Sequence, residues 1–206
     1  MCSGIMVRMR ACIRIIAAHL HPELDIYCFE SSEVTREKAL KNNVCELDNV
    51  NVVPYALADE SGMVSFQESG TGKTINSLSL TPVSPTQYDT IEIEAQSAKG
   101  AVEDLGIPAP DTVKIDVEGA EYRVLQGFTD DLFDRLKLLI VELHHIHTKD
   151  LNTVPYLKRK GFNVTFLAER RLGDVQRMQH IKADSPRYED CILRFFSDSS
   201  RRLSTI

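Results

Sequence analysis

The 206-residue sequence lacks any cysteine pair with metal-ligand or redox spacing: its five cysteines stand apart at positions 2, 12, 28, 45 and 191. An odd, scattered set argues against a disulfide framework and for a reduced, intracellular setting, here a cytoplasmic one. A bilayer-length apolar run is also missing. Ile13 to Leu20 is too short to span, and Arg14 interrupts it. Arg8, Arg10 and Arg14 on its flank suggest a signal peptide, but no small-residue cleavage site precedes His21, and that reading is rejected. Positive charge is in deficit as well. Net charge is −6 and the isoelectric point is near 5.5, so a nucleic-acid surface is not expected as the main partner. The pairs Arg170-Arg171 and Arg201-Arg202 read as solvated surface, and neither an internal repeat nor a long disordered linker is visible.

What is present is the pattern of one soluble domain over residues 1–206, with 43% hydrophobic and 26% charged residues. Short apolar runs alternate with helical stretches, which predicts an α/β fold with a largely parallel sheet. "DIYCFE" reads as a buried strand ending at Glu30, and "SSEVTREKALKNN" as a helix with Ser32 as its N-cap. "NVNVVPYAL" is a strand closing at Pro54, and "GMVSFQES" an added hairpin strand. Residues 69–86, rich in Gly, Ser, Thr and Pro, form a loop, and "DTIEIEA" alternates as a half-exposed strand. "AKGAVEDLGI" is a short helix ended by Gly106, and "TVKID" and "KLLIVEL" are buried strands. "VPYLKRKGF" is a helix stopped by Gly161, followed by two late strands, "NVTFLAE" and "CILRFF".

Three strand ends carry acids: Glu30, Asp116 and Glu142. Ligands of open α/β sheets sit at the carboxyl ends of the parallel strands. A nucleotide phosphate would be repelled there, whereas S-adenosylmethionine offers ribose hydroxyls to a carboxylate and carries a cationic ammonium and sulfonium. Glu118 and Glu121 taken alone are more simply helix N-terminal acids favoured by the dipole. "ESGTGKTIN" looks like a phosphate loop, but Gln67 stands where the first glycine must be and no helix start follows Gly70 to Thr74. The best polar groups of that loop over a cofactor pocket are Asn76 and Ser77. His144, His145 and His147 lack a Cys or acid to complete a zinc set, so no metal is expected.

"VKIDVEGAEYRVLQG" resembles the signature of FkbM-type methyltransferases, class I enzymes with a Rossmann-like sheet that use S-adenosylmethionine. "YCFESS" is similar to their "FEP" segment with Ser31 for the proline, "NVNVVPYALADESGMVSF" to their next strand and turn, and "LLIVELHH" to a later strand followed by histidine. The similarity runs from about Ala17 to His145 and implies a mostly parallel sheet with a late antiparallel strand. It places Glu30 on the ribose, beside Ser31, and sets Ala56, Leu57 and Asp59 along the adenine. Asp116 comes beside the methyl donor and acceptor, with Glu118, Glu121 and His144 lining the acceptor side. Asp116 and His144 are the candidates for taking a proton from an acceptor hydroxyl. The implied acceptor is a sugar or small metabolite, a small molecule or glycan rather than nucleic acid or membrane.

Two departures stand out. "AQSAKGAVEDL" lacks the family's Leu-Asp pair. The family also opens with a strand and a turn of the type Asp-x-Gly-Ala-Asn-x-Gly, where this chain has "MCSGIMVRMRACIR" with Gly4 as its only glycine. The first strand and glycine turn are therefore expected to be missing or altered, and residues 1–14 to be an atypical N-terminus. Back-translated with degenerate codons and read from the third nucleotide, Met1 to Arg14 permits Val-Phe-Trp-Asp-(Tyr/His/Asn)-Gly-Ala-Asn-Ala-Gly-Val-Tyr. That is the absent turn in the expected place, as a frame-shifted reading would leave it. The alternative function is a degenerate methyltransferase fold acting as a non-catalytic binding module.

Overall fold

The computed structural model describes residues 5–7, 22–33, 36–37, 47–69, 88–117, 119–145, 152–172 and 176–186. Ten strands are assigned among them: β1 (Ile5–Val7), β2 (Ile26–Phe29), β3 (Val50–Val53), β4 (Ala56–Ala58), β5 (Gly62–Ser69), β6 (Tyr88–Ser97), β7 (Thr112–Ile115), β8 (Leu138–His145), β9 (Asn163–Leu172) and β10 (Gln176–Asp184). Seven of them form one sheet in the order β3-β2-β1-β7-β8-β10-β9. The first five run parallel, and only β10 runs against its neighbours β8 and β9. The strand order reverses between β1 and β7, so the ligand crevice of this topology falls at the carboxyl ends of those two strands.

Burial explains why these segments are strands. In β2 the residues Ile26, Cys28 and Phe29 are buried, and in β7 Val113 and Ile115 are. Strands covered on both faces read as continuous apolar runs rather than as alternation. β8 supplies Leu139, Val141 and Leu143 to the same core. The second sheet, β4-β6-β5, behaves differently. In β6, Ile91 and Ile93 are half-buried while Glu92 and Glu94 face water, the period-2 pattern of a one-sided sheet.

Among the described residues, four short helices have both ends defined. In α1 (Ala98–Glu103) the Ser97 hydroxyl accepts from the Gly100 N–H at 2.9 Å, capping the first turn. α2 (Glu121–Gln126) follows β7, and α3 (Asp130–Arg135) is capped by the Thr129 hydroxyl. α4 (Thr153–Arg159) ends at Gly161, whose φ of 88° is the left-handed stop that glycine favours. No helix among the described residues is long and apolar enough to cross a membrane.

Two expectations need correction, and a third falls on one of its alternatives. The first strand is altered rather than missing: Ile5–Val7 pairs with Ile26–Cys28 on one side and with Thr112–Lys114 on the other. Apolar residues suffice to fill a central parallel slot, even over three residues. The segment after β1, where the glycine turn was sought, lies outside the described residues, as do most of the helix after Ser32, the loop with Asn76 and Ser77, and "CILRFF". "NVNVVPYAL" is two strands in two sheets, because Pro54 cannot donate to a ladder and β4 leaves to pair with β6. The strand antiparallel to β8 is β10, a segment the sequence pattern did not mark.

Candidate active site

The carboxyl ends of β2 and β7 bring Glu30 and Asp116 to one edge of the sheet; Glu142, expected at a strand end, lies inside β8, which runs on to His145, but is level with Asp116. Glu30 directly follows β2 and is buried. Its backbone N–H donates to Val53 O at 3.0 Å, tying the end of β2 to the end of β3. The Ser32 N–H donates to Glu30 Oε1 at 3.1 Å. Arg36 reaches back and donates through Nη1 to the carbonyls of Glu30 at 2.9 Å and Ser31 at 2.6 Å. The chain turn at Glu30-Ser31 is thus fixed from both sides, with the carboxylate oriented by a backbone donor. A carboxylate offers about four acceptor positions, so one such bond leaves room for a vicinal diol.

Asp116 directly follows β7 and has a partner the sequence reading missed. Lys114, two residues earlier and so on the same face of the strand, donates through Nζ to Asp116 Oδ2 at 3.1 Å. The same ammonium stands 3.9 Å from Glu142 Oε2 on the neighbouring strand β8. All three side chains are largely buried. The register that sets Ile115 opposite Val141 carries Asp116 opposite Glu142, which is why one lysine reaches both. The signal available in the sequence was a lysine inside the apolar run "TVKID".

Beyond Asp116 the chain turns through Gly119, whose φ is 97°, into α2. Glu121, the first residue of that helix, is fully buried, and the Gly119 N–H donates to its Oε1 at 3.0 Å. Its carboxylate therefore folds back onto the turn it helps to form. Glu118 lies outside the described residues, and His144 is described only by its backbone, which pairs with Met178 in β10.

Ala56 and Leu57 lie in β4 and are buried. Asp59, just past that strand, is bound by Arg123 of α2, whose Nε and Nη2 donate to Oδ1 at 3.1 and 2.6 Å. Burial pushes the Asp59 carboxyl up, but the hydrogen bonds and charge of Arg123, with the backbone N–H groups of Asp59 and Glu60, outweigh it, and the net displacement is downward. A depressed carboxylate contributes stability that is present above the ordinary aspartate range and lost as pH falls through its lowered value. Arg123→Met is therefore expected to cost about 0.5–1 kcal/mol at pH 6, scaled down for a pair one-third exposed. In denaturant titrations the cost should shrink as pH falls through the lowered value; a cost that does not change with pH would show that Arg123 acts by packing.

Three acids thus stand on parallel strands to either side of the point where strand order reverses, in an α/β domain. Residues 9–164 match the methyltransferase FkbM domain family, and the chain belongs to that family. β1 lies just before the matched span. S-adenosylmethionine is the cofactor that membership implies. The chain is 31% identical over 125 residues to the hexuronic acid methyltransferase AglP of Haloferax volcanii, which covers 58% of this chain and 47% of that protein. It thus spans about half the length of this curated relative. The fold is similar to that of methyltransferase FkbM from Methylobacillus flagellatus KT, with a TM-score of 0.55 and 14% identity over 88% of this chain and 43% of that one. It is also similar to the N-terminal domain of EvdMO1, solved in the presence of SAH and D-fucose, with a TM-score of 0.50 and 10% identity over 89% of this chain and 76% of that one.

Proposed function

We propose that this chain is a class I, Rossmann-like methyltransferase domain that moves the methyl group of S-adenosylmethionine to a hydroxyl oxygen of a sugar or small metabolite. The observation that carries the reading is the set Glu30 and Asp116, directly after β2 and β7, with Glu142 of β8 level with Asp116. When bound, the cofactor supplies a methyl carbon on a positively charged sulfur. Glu30, held by Ser32 and Arg36, accepts the ribose hydroxyls. Leu57 and Asp59 border the base. Asp116 lies at the switch between β1 and β7, where it orients the acceptor and takes its proton, with His144 as the other candidate base. The carboxylates neutralise the cofactor's charge, which suits a cation better than a phosphate. The name of the relative AglP supports a sugar acceptor.

Calorimetric titration of the full chain with S-adenosylmethionine tests the reading. Saturable one-to-one binding is expected, and its absence would sink the proposal. Glu30→Ala should weaken that binding by about 1.5–3 kcal/mol, because a charge-assisted pair of hydrogen bonds is lost. Unchanged affinity would mean that the ribose is held elsewhere.

A second reading, a non-catalytic binding module, is favoured by one observation: the sequence has no glycine between Gly4 and Gly62, and so none where the family places its glycine turn. Binding without turnover of any sugar or hydroxylated metabolite would select it. The genomic DNA upstream of Ile13 decides whether that stretch is a shifted frame.

A further inference from the structure

We infer that Lys114 is a positioning residue: a counter-ion built into the sheet that clamps Asp116 and Glu142 across neighbouring strands and sets how strongly the site prefers a cationic ligand to its neutral product. The ligand-choice half of this inference rests on the proposed function.

Lysine is rarely buried unless it is paired, and Lys114 is 9% exposed at the centre of the sheet, flanked by the backbones of β1 and β8. Its Nζ lies 3.1 Å from Asp116 Oδ2 and 3.9 Å from Glu142 Oε2. The three side chains share one face, since each acid stands two residues beyond the cross-strand pair Lys114 and Ile140. Ionised, the trio sums to one negative charge; without the lysine, the two neighbouring carboxylates would lose the ammonium that now bridges them. Each arrangement attracts a sulfonium differently, yet acts nearly equally on the thioether product, which has lost that charge. Coulomb attraction inside a partly dry site is strong enough for one added charge to alter cation binding by about tenfold. Lys114 thus weakens capture of the donor relative to the product while it fixes the direction of the Asp116 carboxylate. A lysine that served only to fill the sheet would leave the donor-to-product affinity ratio alone.

The experiment uses the full chain at pH 8 as wild type, Lys114→Met, Lys114→Arg, Glu142→Gln and the double variant Lys114→Met/Glu142→Gln. Each is titrated with S-adenosylmethionine and with S-adenosylhomocysteine, and each is melted without ligand. Lys114→Met is expected to raise the donor-to-product affinity ratio about tenfold. Glu142→Gln should lower the ratio by a similar factor, and Lys114→Arg should stay near wild type. The double variant should recover part of the melting temperature lost in Lys114→Met, because the repulsion between the two carboxylates is removed. If Lys114→Met does not fold, the Glu142→Gln and Lys114→Arg ratios carry the test. Ratios unchanged in every folded variant overturn the ligand-choice role, as do changes of one sign in both Lys114→Met and Glu142→Gln. If the wild type binds neither ligand, the proposed function fails and the ligand-choice role falls with it. The melting comparison then still judges the clamp, and an equal loss in the single and double variants overturns it.

Discussion

Gly127→Ala is expected to destabilise the domain by about 3 kcal/mol and to lower its melting temperature by roughly 10 °C. Gly127 closes α2 with an ordinary helical backbone, so conformational freedom is not what it provides. It provides the absence of a side chain. A Cβ at this position would stand 2.3 Å from the carbonyl oxygen of Ala58 and 3.2 Å from Ser97 Cβ. The Ala58 oxygen belongs to buried backbone and cannot swing aside. The Gly127 carbonyl also accepts from the Lys99 N–H at 3.1 Å, so α2 cannot simply slide away without breaking its tie to α1. The control is Gly161→Ala. That glycine has a φ of 88° with open space around its missing Cβ, so the expected cost is about 1 kcal/mol of backbone strain alone. Calorimetric melting of both variants checks the pair, and equal losses would refute the close-contact argument.

Asp116→Asn is expected to reduce kcat/KM for methyl transfer by about 10² to 10⁴ while the melting temperature moves by only a few degrees. Asparagine keeps the shape and removes both the charge and the capacity to take a proton. Lys114 would keep its second carboxylate at 3.9 Å, which explains why the fold should tolerate the change. Steady-state kinetics with a hydroxylated sugar acceptor, beside His144→Gln, checks the expectation. A greater loss in His144→Gln would assign the proton to the histidine and leave Asp116 a binding role.

The strands were legible where burial writes itself as an uninterrupted apolar run. β2, β7 and β8 come close to this kind, whereas β6 was legible by alternation, which matches a sheet with one wet face. The stops at Gly106 and Gly161 were legible because a left-handed backbone calls for glycine. β10 was not legible. Its sequence, "QRMQHIKAD", is rich in long polar side chains, and its strand state comes from pairing between β8 and β9 rather than from local preference. Glu30 and Asp116 were found because each follows a recognisable strand, and Glu142 because it sits late in another. Arg123 and the contact of Lys114 with Glu142 were passed over because these pairs are remote in sequence, and only the packing of α2 and the sheet register bring them within reach; the local Lys114–Asp116 pair was simply overlooked.

The position of β1 also imposes a timetable on synthesis. Val7 emerges from the ribosome early, but its partner Lys114 lies 107 residues later, from the difference between 114 and 7. At about 5–20 residues per second, the middle of the sheet stays open for roughly 5 to 20 s, counted from the first partner strand to the last. During that wait β1 can hold only β2, and β2 in turn gains β3 long before β7 exists. The nascent chain therefore carries an unfinished sheet edge where its centre will be. A slowly translated stretch of message before Thr112 would lengthen its exposure to chaperones and to other nascent chains, with no amino acid changed.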